Sequence, residues 1–511
     1  MKNLCSVLLV LFFASAFVFA QDVTFSTQFT VQNLYIHDMN GDLGNDVLIG
    51  GYNNTVGGFE IHCQKSPPGT FSDIPDIYQQ TGSSSGYQAT TGADAGDFNG
   101  DGLLDVAGGG YYDINRGWVY TQQPGFIFNL SQNLGTSNPQ WAEAGDFNGD
   151  GRMDISIMEP VSGRLRIWLQ QPSGGFPSTA TYEVIPSNQW PYFYLREYTI
   201  ADLNNDNKLD ILMSYDERIN SGGNVVYTYF TTAIFYQPTS GWPPGGSNIQ
   251  TDPNLILVRY EFSTSIYSLG IGIGDINNLD GLNDVAVLMN NSYPGGASLL
   301  IFPNTGTGIS PTPSQTISCS GWGLAHHFKD LNSDGRADVA VGNPVRIFFQ
   351  TASGTISNFP GFTTSASDIK LAIADMNQDT KNDLVSSPGD LIHIWFGDLS
   401  AIKESPFQRN FSQPVLVVNP NPFQNHLVIQ YALGSNDRVI SSQKSVVSIR
   451  IYDATGRLVR DFSQFTNYDL RPAGVLWDGT DELGHKLPSG IYFIRLEVNE
   501  FKITEKVTLL K

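Results

Sequence analysis

Short apolar runs rich in β-branched side chains recur along the chain, as at Ile155 to Ile157, Val285 to Val287 and Val339 to Val341. Gly, Asn or Asp bounds each of them, so each reads as a short strand next to a tight turn. Tyr182 to Ile185 and Leu255 to Tyr260 read as outer strands of the same kind of unit, and Leu391 to Phe396 is the one clear strand of its region. The run Val23 to Phe29 matches those outer strands but has no unit ahead of it. It is expected to complete the last unit of the series and close a ring, which removes an exposed sheet edge. From about Pro414 the pattern changes. Leu427 to Tyr431, Val447 to Tyr452 and Ile491 to Val498 alternate, with turns at Asp453 to Gly456 and Pro488 to Gly490. Strands spaced in this way over residues 414–511 read as a small β-sandwich.

One apolar run is of another kind. Val7 to Phe19 follows Lys2 and ends at Ala20, the pattern of a signal peptide over residues 1–20 with Gln21 as the mature N-terminus. It is shorter than the roughly 20 residues a spanning helix needs. Cys5 lies ahead of the run and is not placed for lipidation. With no later stretch apolar enough to span a bilayer, the mature chain is expected to be exported and to lack a transmembrane anchor. Cys63 and Cys319 then remain, too few for a disulfide scaffold, and the sequence leaves their pairing open.

The polar positions repeat more strictly than the apolar ones. A frame of Asp, Asn, Asp and Asp at positions 1, 3, 5 and 9 appears as Asp38, Asn40, Asp42, Asp46 and again as Asp97, Asn99, Asp101, Asp105. It returns as Asp146, Asn148, Asp150, Asp154; as Asp202, Asn204, Asp206, Asp210; as Asp330, Asn332, Asp334, Asp338; and as Asp375, Asn377, Asp379, Asp383. The fifth copy, Asp275, Asn277, Asp280, Asp284, carries one extra residue. The copies recur about every 56 residues, the size of a four-stranded propeller blade with its loops.

Oxygen side chains at alternate positions of a tight loop can converge on one point, with a backbone carbonyl at position 7 joining them. That donor set suits Ca²⁺, at up to seven sites, better than Mg²⁺, which demands stricter geometry and keeps more water. An EF-hand opens in the same way but needs a glutamate at position 12 and flanking helices. Position 12 here is Ile49, Gly108, Ile157, Met213, Val341 or Ser386, and strands follow it.

These loops resemble the FG-GAP and VCBS repeats of integrin α-chain heads and many bacterial secreted proteins. The metal-loop motif carries the likeness over roughly residues 22–410, while the Phe-Gly and Gly-Ala-Pro portions survive only near Gly295, Gly296 and Ala297. The resemblance implies a seven-bladed β-propeller over residues 21–410, with Ca²⁺ held by the four oxygen-bearing positions of each copy, in the hairpin between a blade's first two strands.

The C-terminal segment has its own motifs: Asn419 to Phe423 as N-P-N-P-F, Ile451 to Asp453, Gly456 with Arg457, Leu487 to Tyr492, and Lys506 to Lys511. Together they resemble the type A sorting domain of the type IX secretion system. Trp477 to Asp481 with Gly484 is also similar to the Ig-like domain of flagellar hook-capping proteins. The resemblance implies an Ig-like fold over residues 414–511, contact with the secretion machinery, and release or attachment at the outer surface of a Gram-negative bacterium. An adhesive Ig-like module is the other reading.

Composition agrees with an all-β chain: 52 Gly, 27 Pro and 12% aromatics favour many strands and turns over helices. The formal charge is -21, which excludes reliance on a basic surface for nucleic acid. Three aspartates in each of seven loops equal that excess, so the acidity concerns metal more than partners. No catalytic constellation is evident, and His326 with His327 is assigned a structural role at a strand entry. Trp141, Trp190, Tyr192, Tyr194 and Trp322 are expected in connections on the face opposite the loops, as candidates for stacking on sugar or protein. The expected function is thus binding or adhesion to a glycan or extracellular protein. A polysaccharide-degrading enzyme and a ligand-free spacer are the alternatives.

Overall fold

The computed structural model describes residues 23–53, 56–81, 89–111, 116–186, 193–221, 224–261, 268–277, 279–291, 296–319, 321–358, 360–363, 368–397, 415–419, 421–423, 427–432, 447–462, 473–482, 485–498 and 501–510. The signal-peptide segment lies outside them. The chain separates into two compact units, one built mainly from Gln21–Asn410 and one mainly from residues after Phe411.

The larger unit is a seven-bladed β-propeller. After β1 (Val23–Ser26), blade one comprises β2 (Thr30–His37), β3 (Asp46–Tyr52), β4 (Gly57–His62) and β5 (Ile77–Gln80). Blade two is β6 (Ala89–Gly96), β7 (Asp105–Tyr111), β8 (Arg116–Gln123) and β9 (Ile127–Leu134). Blade three is β10 (Trp141–Gly145), β11 (Asp154–Glu159), β12 (Arg164–Trp168) and β13 (Tyr182–Val184). Blade four is β14 (Phe193–Ala201), β15 (Asp210–Ser221), β16 (Asn224–Phe235) and β17 (Leu255–Glu261). Blade five is β18 (Ser268–Gly274), β19 (Asp284–Asn291), β20 (Gly296–Phe302) and β21 (Gln315–Cys319). Blade six keeps three strands, β22 (Val339–Val341), β23 (Arg346–Phe348) and β24 (Phe362–Thr363). Blade seven is β25 (Lys370–Ala374), β26 (Asp383–Ser387) and β27 (Leu391–Trp395), completed by β1 from the start of the chain.

That closure is antiparallel, with Val23 opposite Ile394 and Ser26 opposite Leu391. The strand stops at Ser26, short of the run to Phe29, and the Gln28 N–H donates to the Glu60 carboxylate instead of to β27. A second difference is β26, which the sequence pattern leaves unmarked. Ser386 and Ser387 replace apolar residues there, yet both are buried: the Ser386 hydroxyl donates to Asp368 Oδ2 at 2.5 Å and accepts from Trp395 Nε1 at 2.9 Å.

Adjacent blades share their apolar surfaces. Phe59 of blade one stacks on Trp118 of blade two, and Phe147 and Leu165 of blade three pack with Tyr198 and Met213 of blade four. Burial of whole aromatic and aliphatic side chains in these joints is the main stabilising contribution. Cys63 and Cys319 are buried in blades one and five and form no disulfide with one another.

The smaller unit has a three-stranded sheet, β28 (Val415–Asn419), β29 (Leu427–Ala432) and β32 (Ala473–Trp477). Its second sheet has four strands in the order β31 (Leu458–Asp461), β30 (Val447–Asp453), β33 (Gly490–Val498) and β34 (Phe501–Leu509). Trp477 packs on Phe423 and on Tyr492, and its indole N–H donates to Thr480 O at 2.9 Å.

Candidate functional site

All seven aspartate loops occupy the same place, the turn that leads out of a blade's inner segment, which in six of the blades joins its first two strands. In blades one to five and seven the closing aspartate is the first residue of the second strand and sits opposite the residue that precedes the loop, as Asp46 opposite His37 and Asp154 opposite Gly145. In blade six the same pairing survives as an isolated bridge between Lys329 and Asp338.

Within a loop, the first aspartate gathers the turn. Asp38 Oδ1 accepts from the Gly41 and Asp42 N–H groups, and its Oδ2 from Leu43 N–H at 2.9 Å. Asn40 Oδ1 accepts from Asp42 N–H and Asp42 Oδ1 from Gly44 N–H. Such side-chain to backbone bonds are what Asp and Asn offer a turn. They demand two left-handed residues per loop, at positions 4 and 6. Glycine fills both in loops two and three, whereas Leu43 at φ 71° and Thr380 at φ 71° carry a side chain there. The fifth loop absorbs its extra residue ahead of Leu279. From there the alternation returns, with Leu279 and Gly281 left-handed and Leu282 N–H donating to Asp280 Oδ1, as Gly44 does to Asp42.

The closing aspartates are fully buried, and each is a clamp. Asp154 Oδ2 accepts from Phe147 N–H in the loop and its Oδ1 from Gln170 N–H beyond the third strand, at 2.9 and 2.8 Å. The same two bonds recur at Asp46, Asp105, Asp210, Asp284, Asp338 and Asp383. Burial raises these carboxyls from the usual 3.8 to about 6 at Asp46 and about 8 at Asp338. The two N–H bonds lower them, and the carboxylates at positions 5 and 1 raise them further.

A second repeated residue escaped the sequence reading. The side-chain amides of Gln64, Gln170, Gln237, Asn304 and Gln350 each donate to a loop carbonyl of the preceding blade: Met376, Asp97, Phe147, Leu203 and Asp275. With its amide turned to suit its neighbours, Gln122 does the same to Met39 O. Blade seven lacks this residue and uses Asn382, which donates to Asp330 O at 2.9 Å. Every joint of the ring therefore ties one loop to the next blade. The signal was an amide side chain, in blades one to six, on the residue whose N–H meets the closing aspartate, at an offset from that aspartate too variable to read as a motif.

The donors fit a hard cation in type, since every loop presents carboxylate and amide oxygens. Among the described residues no three His, Cys, Asp or Glu side chains are already gathered in ligating geometry, and the loop carboxylates are turned onto N–H groups instead. Asp275 Oδ1 is buried without a hydrogen-bond partner, an acceptor that a cation would satisfy.

The ring encloses an axial cavity of about 460 Å³, lined by residues of six blades that include Tyr35, Asp94, Trp141, Glu197, His326 and Lys370. Blade six shapes it. Its inner stretch meets β22 at the Leu324 to Val341 bridge, where Ala325 N–H donates to Ala340 O, and between there and the Lys329 to Asp338 bridge it runs beside β18, with Ile273 N–H donating to His326 O. His326 thereby reaches across the axis. Its Nε2 lies 2.9 Å from Glu197 Oε1, and its Nδ1 3.5 Å from Glu143 Oε1, which also accepts from Tyr35 OH. Burial lowers the His326 pKa, but the two glutamates outweigh it and raise it to about 9. His326 is thus a bridge between blades rather than a strand entry. His37 Nε2 meets Asp94 Oδ1 at 2.8 Å in the same cavity.

Trp141 and Trp322 both line this cavity. Trp141 opens β10 rather than lying in a connection, and the Lys370 ammonium sits 4.7 Å from its ring centroid. Tyr194 likewise falls inside β14, and Trp322 is 48% exposed. Trp190 and Tyr192 lie outside the described residues.

Residues 97–157, 146–213, 275–341 and 330–386 match the FG-GAP-like repeat family, segments that hold loops two to seven, and residues 417–509 match the secretion system C-terminal sorting domain. Mouse integrin alpha-IIb is 27% identical over 169 residues, 30% of this chain and 15% of its own length. Mouse integrin alpha-3 is 30% identical over 162 residues, 30% of this chain and 13% of its own length. The chain therefore spans a small fraction of these relatives. Solved structures that match the chain include BBS1N in complex with ARL6DN (TM-score 0.40, 10% identity, 74% of this chain and 95% of that one). The Dos1 propeller is another (TM-score 0.41, 10% identity, 82% and 93%). The sorting domain marks the chain for export to a secreted or surface location through the secretion machinery, and among the described residues no helix is long and apolar enough to cross a membrane. The chain thus carries FG-GAP-like repeats in its β-propeller and a secretion-system sorting domain over residues 417–509.

Proposed function

We propose that the protein is a calcium-braced propeller, exported by a type IX system to the surface or surroundings of a Gram-negative bacterium, where it binds an extracellular glycan or protein. The observation that carries this is the sevenfold loop. Positions 1, 3, 5 and 9 of each copy would hold Ca²⁺, including Asp275, Asn277, Asp280 and Asp284, where the structure restores the regular turn after the insertion. Calcium would supply the charge that three crowded carboxylates lack, and the residues themselves fix the turn and clamp it to the blade. Glu143, Glu197 and His326 of the axis satisfy one another, which supports a binding role over a catalytic one.

Two measurements test the reading. Purified mature chain should bind members of a glycan and matrix-protein array in Ca²⁺ without releasing sugar from polysaccharides; product release would favour the enzyme, and a silent array the spacer. A chain truncated before Pro414 should remain inside the cell, and its arrival at the surface would remove the sorting role.

A further inference from the structure

The axial cavity belongs to none of the loops. Its volume of about 460 Å³ is that of a small-molecule site rather than a peptide groove. Its carboxylates are already engaged. Asp94 takes His37 and the Ala95 and Ala144 N–H groups, while Glu143 and Glu197 share His326. Its lysines are not. Among the described residues, neither Lys329 nor Lys370 has a carboxylate within ion-pair distance, and Lys370 rests on the face of Trp141. Burial lowers the Lys370 pKa, and the Glu197 carboxylate only partly offsets it, the mark of an ammonium short of solvent. Two lysines that make no ion pair give this cavity a place for an incoming anion, even in a chain of net charge -21.

The wall limits what the anion carries. Half-exposed Trp322 and Ile369, 40% exposed, join Leu34, Ile36, Leu371 and Ile373 as apolar wall, and Asp94, Glu197, His37 and His327 set polar groups among them. A hydrocarbon tail would strand those groups, while a ring with an apolar face and many hydroxyls would not. We propose that the axial cavity binds a carboxylated sugar of one or two rings, its carboxylate on Lys370 and its ring against Trp322. This names the ligand class and the place for the binding reading above, and rests on that reading.

The test is titration of the full mature chain in Ca²⁺ with digalacturonate, its methyl ester and an N-acetylated Asp-Glu dipeptide, by calorimetry and tryptophan fluorescence. Digalacturonate should bind at least tenfold more tightly than the ester, which keeps the hydroxyls and loses the charge. Lys370→Met should lose that preference and Lys370→Arg keep part of it; Trp322→Leu should weaken binding and abolish most of the fluorescence change. Unchanged melting curves confirm that the variants fold, and if Lys370→Met does not, Trp322→Leu and the ester comparison still decide. Equal binding of acid and ester, or capture of the dipeptide alone, overturns the proposal. Failure of all three probes while array binding persists overturns the cavity site and leaves the binding reading standing; failure of both ends both.

Discussion

The loop end of the propeller and its axis are built on opposite principles. At the loop end one arrangement is used seven times, down to the two N–H bonds on every closing aspartate. Along the axis no arrangement occurs twice: Tyr35, Glu143, Glu197 and His326 come from four blades and meet once, because blade six gives up its regular inner strand. Repetition suits a structural task that every blade faces. A site for one ligand has to break it.

The contrast predicts effects of different size. Removing residues 21–30 deletes β1, reopens the ring and bares the edge of β27; the largest loss of melting temperature is expected there, and an unchanged melt would show that blade seven needs no fourth strand. Next comes the response of the chelated protein to pH. The closing carboxyls stand at about 6 to 8 when folded against 3.8 when unfolded, so the metal-free fold binds more protons than the unfolded chain across that window. Its stability should fall as pH rises from about 4 to about 8. Calorimetry in chelator should show that slope, and Ca²⁺ should flatten it.

Single-residue changes are smaller. Asp154→Ala leaves the Phe147 and Gln170 N–H groups buried and unpaired, a loss of about 2–4 kcal/mol by denaturant titration. Gln170→Leu removes only the tie to Asp97 O and should cost about 1 kcal/mol, with the axial site untouched. If Gln170→Leu proved the more damaging, the joints rather than the clamps would govern the ring.

The same contrast explains what could be read from sequence. Loop, blade count and ring closure were legible because each is a repeat or the completion of one, and Asp38 to Asp46 teaches what Asp375 to Asp383 does. The axis was not. Nothing in the order of residues brings Lys370 to Trp141, since the two lie on blades seven and three and meet only when the ring has closed. β26 escaped for a local reason: Ser386 is satisfied by Asp368 and Trp395, and Ser387 by the Gly389 N–H, partners that a hydropathy pattern cannot see. The amide clasps fell between these cases, repeated in chemistry but not in spacing.

The central claim is that seven loops hold calcium and that calcium braces the ring. Calorimetric melting of the mature chain in Ca²⁺ and in chelator at neutral pH tests it most directly. The account predicts a melting temperature lower in chelator by on the order of 10 °C, restored by Ca²⁺. Superimposable curves would contradict it.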